Sequence, residues 1–457
     1  MKEQIKSLLT NPQCDYLEIR TENTARTSFR YMGDQLHEIQ QDRSAGAAIR
    51  ALVKGRWGFV TINDVQKLDK GVADAVESAT LAASLSEGTH QLADAEPNEV
   101  DIPLQVENDP REISLNDKLE TFGRYNEQVL SGKGITSSLA YYFDNHRELV
   151  FANSEGSYIS RENIDLACSI RPYATRDGET RGVGVSQGSS NDFNVVHGLE
   201  QEINKAIAAS TETLDAPVIE AGNYTVICDP NLAGVFIHEA FGHLSEGDNV
   251  ANDERMREIM KLGRQFGGDF LNVHDTGLDV GLRGYLPYDD EGVATQRTEL
   301  IHEGRLVGRL HNRETAGKLG EKPTGSARAI TYRFAPIPRM RNTTIGAGPH
   351  GSFEDLIKDV KLGVYAMDAS GGQTNGELFT FTAQQAFMIR DGKVAERVKD
   401  VTISGNVFET LKNINGVGSD FNIRDSAGGC GKAGQMPLPV SHGSPHIRIA
   451  NCLIGGQ

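Results

Sequence analysis

Two long stretches near the start of the chain alternate apolar and polar side chains, and this period of two limits the possible folds more than any other feature. The stretches are CDYLEIRTENTARTSFRYMGDQLHEIQ, residues 14–40, and AGAAIRALVKGRWGFVTIND, residues 45–64. Successive side chains of a β-strand point to opposite faces, so the alternation predicts strands with one covered face. Turn residues between the runs indicate an antiparallel meander. The 49 glycines among 457 residues also favour strands and turns.

Four segments are predicted to be helical and can cover this sheet. They are residues 1–11, 65–85, 115–130 and 199–209. The segment TETLDAPVIEAGNYT, residues 211–225, then interrupts the pattern with a proline, a glycine and polar residues. We therefore expect an N-terminal α/β domain over residues 1–218, with helices on a sheet, and a second domain over residues 219–457.

The second half contains many short strand-like segments separated by Gly, Asp and Pro. The pair Asp391-Gly392 lies between two such segments, and Asp-Gly is a strong hairpin signal. This half is predicted to be predominantly antiparallel β with a few helices, one of them over residues 352–368. The predicted fold class of the whole chain is α+β.

Charge and cysteine content exclude several classes of protein. A formal net charge of −17, with no Lys/Arg cluster among aromatic residues, argues against direct nucleic-acid binding. The five cysteines are few, odd in number and without a C-x-x-C pair, which indicates a reducing compartment. The first residues lack the apolar core of a signal peptide, and no apolar run approaches the roughly 18 residues of a membrane span. We expect a cytoplasmic protein that does not contact a membrane.

The segment FIHEAFGHL, residues 236–244, contains His238, Glu239 and His243 and is the strongest chemical signal in the chain. In the zinc-protease pattern H-E-x-x-H the histidines are four residues apart and share one helical face. Here they are five apart, so a regular helix would rotate the second ring by about 140° from the first, against about 40° for four. A metal site therefore requires a distorted helix, and Gly242 before His243 tolerates such a distortion.

The helix that carries this motif has a clear start. Asp229 can cap its first turn, and Pro230 suits the first helical position. Leu232 and Phe236 then belong to its buried stripe, which brings His238 into the third turn.

A catalytic zinc site needs about three protein ligands and a nearby carboxylate, so one ligand is missing from the motif. The candidates for the remaining position are Glu246, His274, His302, His311, Cys430 and Cys452. Cys430 is favoured because the glycines of SAGGCGKAGQ let the backbone approach closely and leave the thiol accessible. Cys452 alternates like a strand residue and is expected to be packed. The acidic run Asp289, Asp290 and Glu291 is predicted to be a solvated turn rather than a cation site.

Several segments of the second half, taken in order, resemble the TldD/PmbA family of zinc metalloproteases, formerly labelled modulators of DNA gyrase. These segments are HEAFGHLSEGD, LPYDDEGVATQ, KPTGSARA, PIPRMRNT and GGCGKAGQMP. The chain resembles the catalytic TldD type, whose H-E-x-x-x-H motif is completed by a late cysteine, whereas PmbA-type subunits lack the motif. The resemblance implies His238, His243 and Cys430 as zinc ligands and Glu239 as the general base. It also implies a barrel-like second domain and a dimer, formed with a PmbA-type partner or with a second copy of the chain.

The sequence thus predicts a zinc-dependent metallopeptidase that hydrolyses peptide bonds in unfolded or extended peptides, with Glu239 activating the attacking water. The alternative is a non-enzymatic regulatory protein that binds a partner, of the gyrase-modulator type, in which the metal is structural or absent. Glu239 discriminates between the two hypotheses, because a purely structural metal site does not require it.

Overall fold

The alternating stretches form very long antiparallel strands, as their period predicts. The computed structural model describes residues 1–86 and 88–455. Its α-helices are α1 Lys2–Leu9, α2 Leu68–Leu85, α3 Leu115–Leu130, α4 Glu200–Asp215, α5 Pro230–Ile237, α6 Gly247–Asn252, α7 Glu254–Ile259, α8 Arg313–Leu319, α9 Phe353–Ile357 and α10 Val407–Asn413. The strands of the first half are β1 Tyr16–Met32, β2 Gln35–Val53, β3 Arg56–Ile62, β4 Glu99–Ile102, β5 Ile135–Asn153, β6 Tyr158–Arg176, β7 Glu179–Arg181 and β8 Val185–Ser189. The strands of the second half are β9 Gly222–Cys228, β10 Val273–Thr276, β11 Thr298–His302, β12 Arg305–Leu306, β13 Ala327–Arg328, β14 Ile337–Pro338, β15 Asn342–Ile345, β16 Leu362–Asn375, β17 Leu378–Arg390, β18 Lys393–Val398, β19 Thr402–Asn406, β20 Ile414–Val417, β21 Asn422–Arg424, β22 Cys430–Lys432, β23 Gln435–Leu438, β24 Ser441–Ser444 and β25 Ile447–Gly455.

The first half of the chain builds one sheet covered by helices, which confirms the predicted α/β architecture. The strand order is β3-β2-β1-β5-β6-β4, with β7 and β8 also paired to β6. All neighbours are antiparallel except β4 and β6. Helices α1 and α2 pack on β1 and β2 through residues such as Ile5, Ile49 and Ala75. Helices α3 and α4 cover β5 and β6 through Phe122 and Ile203, so every predicted helix of this half is present.

The second half contains a closed barrel and a separate six-stranded sheet, as expected for an α+β protein with a barrel-like second part. The barrel follows the order β16-β9-β25-β19-β17 and closes because β16 also pairs with β17. Asp391-Gly392 joins β17 to β18 in the predicted hairpin, with both residues at positive φ. The six-stranded sheet has the order β12-β11-β10-β15-β24-β21. Helix α5 contacts both the barrel and this sheet, so its end lies at a fixed place between them.

The predicted helix over residues 352–368 is present but much shorter than expected. Only Phe353–Ile357 is helical, and the chain then enters β16, which pairs in parallel with β9. A Cβ on Gly363 would lie 2.6 Å from the carbonyl oxygen of Thr225 in β9, so the two backbones approach more closely than a side chain permits. The helix-like spacing of this segment is therefore overridden by pairing with a strand more than a hundred residues earlier.

The acidic run is also not a solvated turn. Asp289, Asp290 and Glu291 are each no more than 2% exposed, because they lie between the two halves of the molecule. The partners of Asp290 and Glu291 are arginines of the first sheet: Arg161 and Arg50 donate hydrogen bonds to them, the latter at 2.8 Å. Asp289 instead accepts hydrogen bonds from backbone N–H groups, and burial raises its pKa to about 8. Burial of a charged carboxylate is tolerated when cations pair with it, and the arginines that pair with Asp290 and Glu291 lie far away in the sequence.

Replacing Asp290 with Asn is expected to lower the free energy of unfolding by about 3–5 kcal/mol, because it removes one partner of a buried ion pair and leaves arginines uncompensated. Urea unfolding at pH 7 measures the loss. The matched control is Glu396→Gln, which removes the partner of Arg390 in an exposed pair and should change stability very little. Equal stabilities of the two variants would contradict this account of the buried run.

Among the described residues, no helix combines the length and apolar character needed to cross a lipid bilayer.

Candidate metal centre

The histidine motif lies at the end of α5, where the helix changes its geometry. The predicted cap is present: Asp229 Oδ1 accepts a hydrogen bond from the Leu232 N–H at 2.8 Å, and Pro230 occupies the first turn. From His238 to Gly242 the chain makes a π-helical turn, in which the N–H of His243 donates to the carbonyl oxygen of His238. A hydrogen bond across five residues stacks residues that are five apart, so the predicted distortion is confirmed.

The π-turn brings the two imidazole rings together. Their centroids are 5.4 Å apart and the ring planes meet at 82°. The backbone conformation does not require glycine at position 242, because its φ is −56° and any residue can adopt that value. Packing is what requires it. A Cβ at this position would lie 2.1 Å from Met340 Sδ, in a fully buried contact.

The third donor comes from the β22–β23 hairpin near the other end of the chain. Cys430 Sγ lies 3.4 Å from His243 Nε2, and donor atoms of His238, His243 and Cys430 all lie within 4.8 Å of one another. The expectation that the thiol is accessible is wrong, because Cys430 is only 2% exposed. The predicted close approach of the backbone does occur: a Cβ on Gly429 would be 2.7 Å from Pro437 Cβ.

A fully buried arginine holds this hairpin in place. Arg339 donates from Nη2 to the carbonyl oxygen of Cys430 at 2.9 Å and from Nη1 to that of Gln435 at 3.2 Å. These two carbonyls belong to the two strands of the hairpin. One guanidinium therefore bridges both strands beside the thiol, which fixes the position of the sulfur.

The remaining candidate ligands do not join the cluster. Cys452 is buried on β25, where it was expected to be packed. His274 contacts Thr344 on the neighbouring strand, and His302 is exposed. The ring of His311 contacts Thr315 and Glu321, and Glu246 lies behind His243.

Glu246 is placed to orient the ring of His243 rather than to bind a metal beside it. Its Oε2 accepts a hydrogen bond from His243 Nδ1 at 3.0 Å and also lies 2.8 Å from Lys432 Nζ. The bond to Nδ1 leaves Nε2 of His243 free to face Cys430. A carboxylate that accepts from the second nitrogen of a ligating histidine is the usual outer partner in metal sites.

The electrostatics of the cluster favour the thiolate form of Cys430 and the charged forms of His243 and Glu246. Burial alone would raise the pKa of the Cys430 thiol, but the adjacent His238 and His243 rings hold it well below its ordinary value. Burial alone would lower the pKa of His243, but the Glu246 carboxylate and the Cys430 sulfur raise it well above its usual range. Burial opposes the charged form of Glu246, yet His243 and Lys432 lower its pKa to about 2. The sulfur is thus held as a thiolate, which is the form that binds metals.

Glu239 faces an open cleft of about 1150 Å³ on one side of this cluster. Its Oε2 lies 3.8 Å from His243 Nε2, and its side chain is 25% exposed. The cleft is lined by the motif, by the tip of the β16–β17 hairpin and by the glycines that flank Cys430. A carboxylate that borders both the cluster and the cleft can exchange protons with a molecule bound there.

The sequence reasoning missed Lys432 and Arg339, and it assigned Glu246 only as a possible ligand. Signals for two of them were present, since Glu246 follows His243 by three residues and Lys432 follows Cys430 by two. Arg339 carried no such signal, because only the folded hairpin brings it next to Cys430.

Models of three domains of one family match the chain. The PmbA/TldA metallopeptidase C-terminal domain matches residues 221–456, domain 1 matches residues 17–83, and the central domain matches residues 108–212.

Two solved structures share the fold. A putative modulator of DNA gyrase from Bacteroides thetaiotaomicron superposes with a TM-score of 0.77 at 19% identity, covering 100% of this chain and 99% of that one. TldE from Thermococcus kodakarensis gives 0.74 at 18% identity and covers both chains completely.

Relatives of higher sequence identity are named as metalloproteases. A metalloprotease of Synechocystis is 40% identical over 449 residues, which cover 97% of this chain and 96% of the relative. The zinc metalloprotease TldD homolog of Saccharolobus solfataricus is 30% identical over 427 residues, or 90% of each chain. These matches extend over nearly the whole chain and support a peptidase. The chain therefore belongs to the PmbA/TldD family of metallopeptidases.

Proposed function

We propose that this protein is a zinc-dependent peptidase that hydrolyses peptide bonds in unfolded or extended peptides. His238, His243 and Cys430 hold the zinc ion, and Glu239 is the general base. The observation that carries the proposal is a cluster of three donors beside a carboxylate that borders an open cleft. A π-turn brings the two imidazoles together, and the distant thiolate meets them there.

The donor set fits zinc. Zinc accepts nitrogen and sulfur ligands, and catalytic sites use three protein ligands and keep one position open. His238 Nδ1 is buried without a hydrogen-bond partner among the described residues, which is costly unless another group occupies that direction. When bound, zinc supplies Lewis-acid polarisation of the scissile carbonyl and of the attacking water.

The residues of the chain then perform the proton transfers. Glu239 accepts the proton of the attacking water and delivers it to the leaving amine, as a general base and then a general acid. Glu246 holds His243 in one tautomer and one ring orientation, and Lys432 keeps Glu246 ionised. The open side of the cleft admits the peptide from solvent.

A free strand edge beside Glu239 supports an extended substrate. On one side β16 pairs with β17, whereas on the other side its pairing with β9 ends at Ala366. Within the described residues, no strand pairs with that second side beyond this point, and Gly372, Gln373 and Thr374 line the cleft. The Thr374 hydroxyl donates to the carbonyl oxygen of Glu239 at 2.8 Å, which ties this edge to the base. An extended peptide can add to such an edge through its backbone, with little demand on its sequence.

Cleavage of a flexible peptide, and its dependence on metal, tests this function. The zinc-loaded protein is expected to cut a fluorogenic peptide of flexible sequence, but to leave the same sequence uncut when it lies inside a stably folded domain. A chelator should abolish cleavage and added zinc should restore it, with about one zinc per chain by elemental analysis. Cleavage that persists in metal-free protein, or equal cleavage of the folded target, would contradict the proposal.

We place the protein in the cytoplasm, where a reducing environment keeps the Cys430 thiolate available.

We propose a dimer, with a PmbA-type partner or a second copy, through the outer part of the first sheet. The strands there extend beyond the helices that cover them and expose three large apolar side chains by 39–47%: Met32, Leu36 and Ile39.

We also propose that the functional boundary between the two parts of the chain follows residue 218.

A further inference from the structure

A second cavity, of about 400 Å³, lies on the far side of the β22–β23 hairpin from the catalytic cleft. It is formed between β5 and β6 of the first sheet and the segments around Arg328 and Leu438. The charged residues that line it are Arg26, Arg147, Arg161, Arg283, Arg328, Asp42, Asp165 and Asp290. The cavity has five cations against three carboxylates, in a chain whose net charge is −17. We call it the arginine cavity.

The carboxylates that line the cavity do not neutralise it. Asp165 is fully engaged by Arg283, at 2.6 Å and 2.9 Å. Asp290 forms an ion pair with Arg161, and its carboxylate oxygens also lie 4.0 Å from Arg20 and 3.9 Å from Arg147. One carboxylate therefore faces three guanidinium groups.

Arg147 has one further partner, Glu22, at 2.6 Å. Counting both acids against the three arginines still leaves one positive charge, and Arg328 adds a second. Among the described residues, Arg328 donates to the backbone carbonyls of Met340 and Pro439, both at 2.7 Å, and to no carboxylate.

Several guanidinium N–H groups at this cavity are buried without a partner among the described residues. They are Nε and Nη1 of Arg161 and Nε of Arg147. The side chain of Arg161 is only 2% exposed, and burial lowers its pKa to about 10. A buried cation with unpaired donors is costly, so a negative charge in the adjacent cavity would stabilise these groups electrostatically.

The arginine cavity and the catalytic cleft are separated by one hairpin. Met436 lines both, and Leu438 on the cavity side pairs in the hairpin with Cys430. Arg328 is close enough to interact electrostatically with both Asp290 and Cys430. Paired strands lie about 4.8 Å apart and an extended peptide advances about 3.3 Å per residue, so the thickness of this wall corresponds to a few residues of extended peptide.

We propose that the arginine cavity binds a carboxylate of the peptide substrate, located a few residues from the bond that is cleaved. The inference rests on the proposed peptidase function and adds a preference for substrate charge. A guanidinium binds a carboxylate through charge-assisted N–H groups, and Arg147, whose side chain is 16% exposed, presents such a group at the cavity. The carboxylate is either the free C-terminus or an acidic side chain, and both offer the same chemistry.

Three peptides that share one cleavable sequence test the proposal on the unmodified, zinc-loaded enzyme. The first has a free C-terminus, the second is amidated, and the third is amidated and ends in Glu. Amidation of the first peptide is expected to raise KM about tenfold with little change in kcat, because it removes a charge-assisted hydrogen bond. If the third peptide behaves like the first, an acidic side chain suffices, and if it behaves like the second, the C-terminus itself is recognised.

The double variant Glu22→Gln/Arg147→Gln assigns the effect to the cavity. It replaces a buried ion pair by a neutral pair that can still hydrogen bond, and it should reduce the tenfold preference to less than about twofold, again through KM. The matched control Arg390→Gln/Glu396→Gln alters an exposed pair outside the cavity and should keep the full preference.

Failure of the inference can be separated from failure of the proposed function. Absence of cleavage of all three peptides would overturn the proposed function itself. Equal KM values for the three peptides on the parent, or a full preference retained in Glu22→Gln/Arg147→Gln, would overturn the carboxylate site and leave the peptidase intact. The comparison on the parent needs no variant, so it remains decisive if the double variant does not fold.

Discussion

Replacing Glu239 with Gln is expected to lower kcat/KM for a flexible peptide about 10²–10⁴-fold, while the zinc content stays at the level of the parent. The loss arises because an amide cannot accept the proton of the attacking water, and general-base catalysis contributes a factor of this size. Zinc should remain because Glu239 is not among the three clustered donors. A continuous fluorogenic assay with elemental analysis of the same sample gives both quantities.

The control for this substitution is Glu258→Gln, an exposed glutamate on α7. It removes the same charge close by in the chain and should leave activity and zinc content unchanged. Full activity in Glu239→Gln would exclude the general-base role, and loss of zinc together with activity would move Glu239 into the metal shell.

Replacing Cys430 with Ala is expected to weaken zinc binding more than about 100-fold and to abolish peptide cleavage. Changes to outer partners of a metal ligand typically cost 10–100-fold in affinity, so loss of a ligand should exceed that range. The structure gives the reason, because Cys430 is the only thiol within reach of His243 Nε2 in the described part of the chain, at 3.4 Å. Competition against a chromogenic zinc chelator measures the affinity.

Cys452→Ala is the matched control, since this cysteine is buried on β25 and outside the cluster. That variant should bind zinc as tightly as the parent. Cobalt substitution adds a direct readout, because a sulfur-to-cobalt charge-transfer band is expected in the parent and in Cys452→Ala but not in Cys430→Ala. Unchanged zinc affinity in Cys430→Ala would show that another residue supplies the third ligand.

Local patterns predicted much of the fold because each depends on neighbouring residues. Alternation over residues 14–64 identified three strands of the first sheet, and the Asp229-Pro230 pair identified the start of α5. Local patterns do not predict the structure where residues distant in the sequence decide it. Residues 352–368 have helical spacing, but from Leu362 onward they belong to a strand that is required to close the barrel.

For the candidate site, the glycines around Cys430 favoured it among six candidate ligands, and a resemblance to known proteins then implied it as the third ligand. Spacing alone showed that His238 and His243 could meet only on a distorted helix, and the π-turn is that distortion. The flanking glycines favoured Cys430, but no local pattern could bring it to the histidines, because it is 187 residues from His243 and its position depends on the Arg339 bridge.

The sequence by itself determined which residue types were available: two imidazoles and a carboxylate on one short helix, a thiol among glycines, and long alternating strands. Only the tertiary structure decided that the thiol is buried against the rings, that Glu246 supports His243, and that Asp290 and Glu291 pair with arginines of the first sheet. The physical reason is that hydrogen-bond and packing preferences act over a few residues of chain. Burial of a charge, in contrast, depends on partners that come close only when the whole chain has folded.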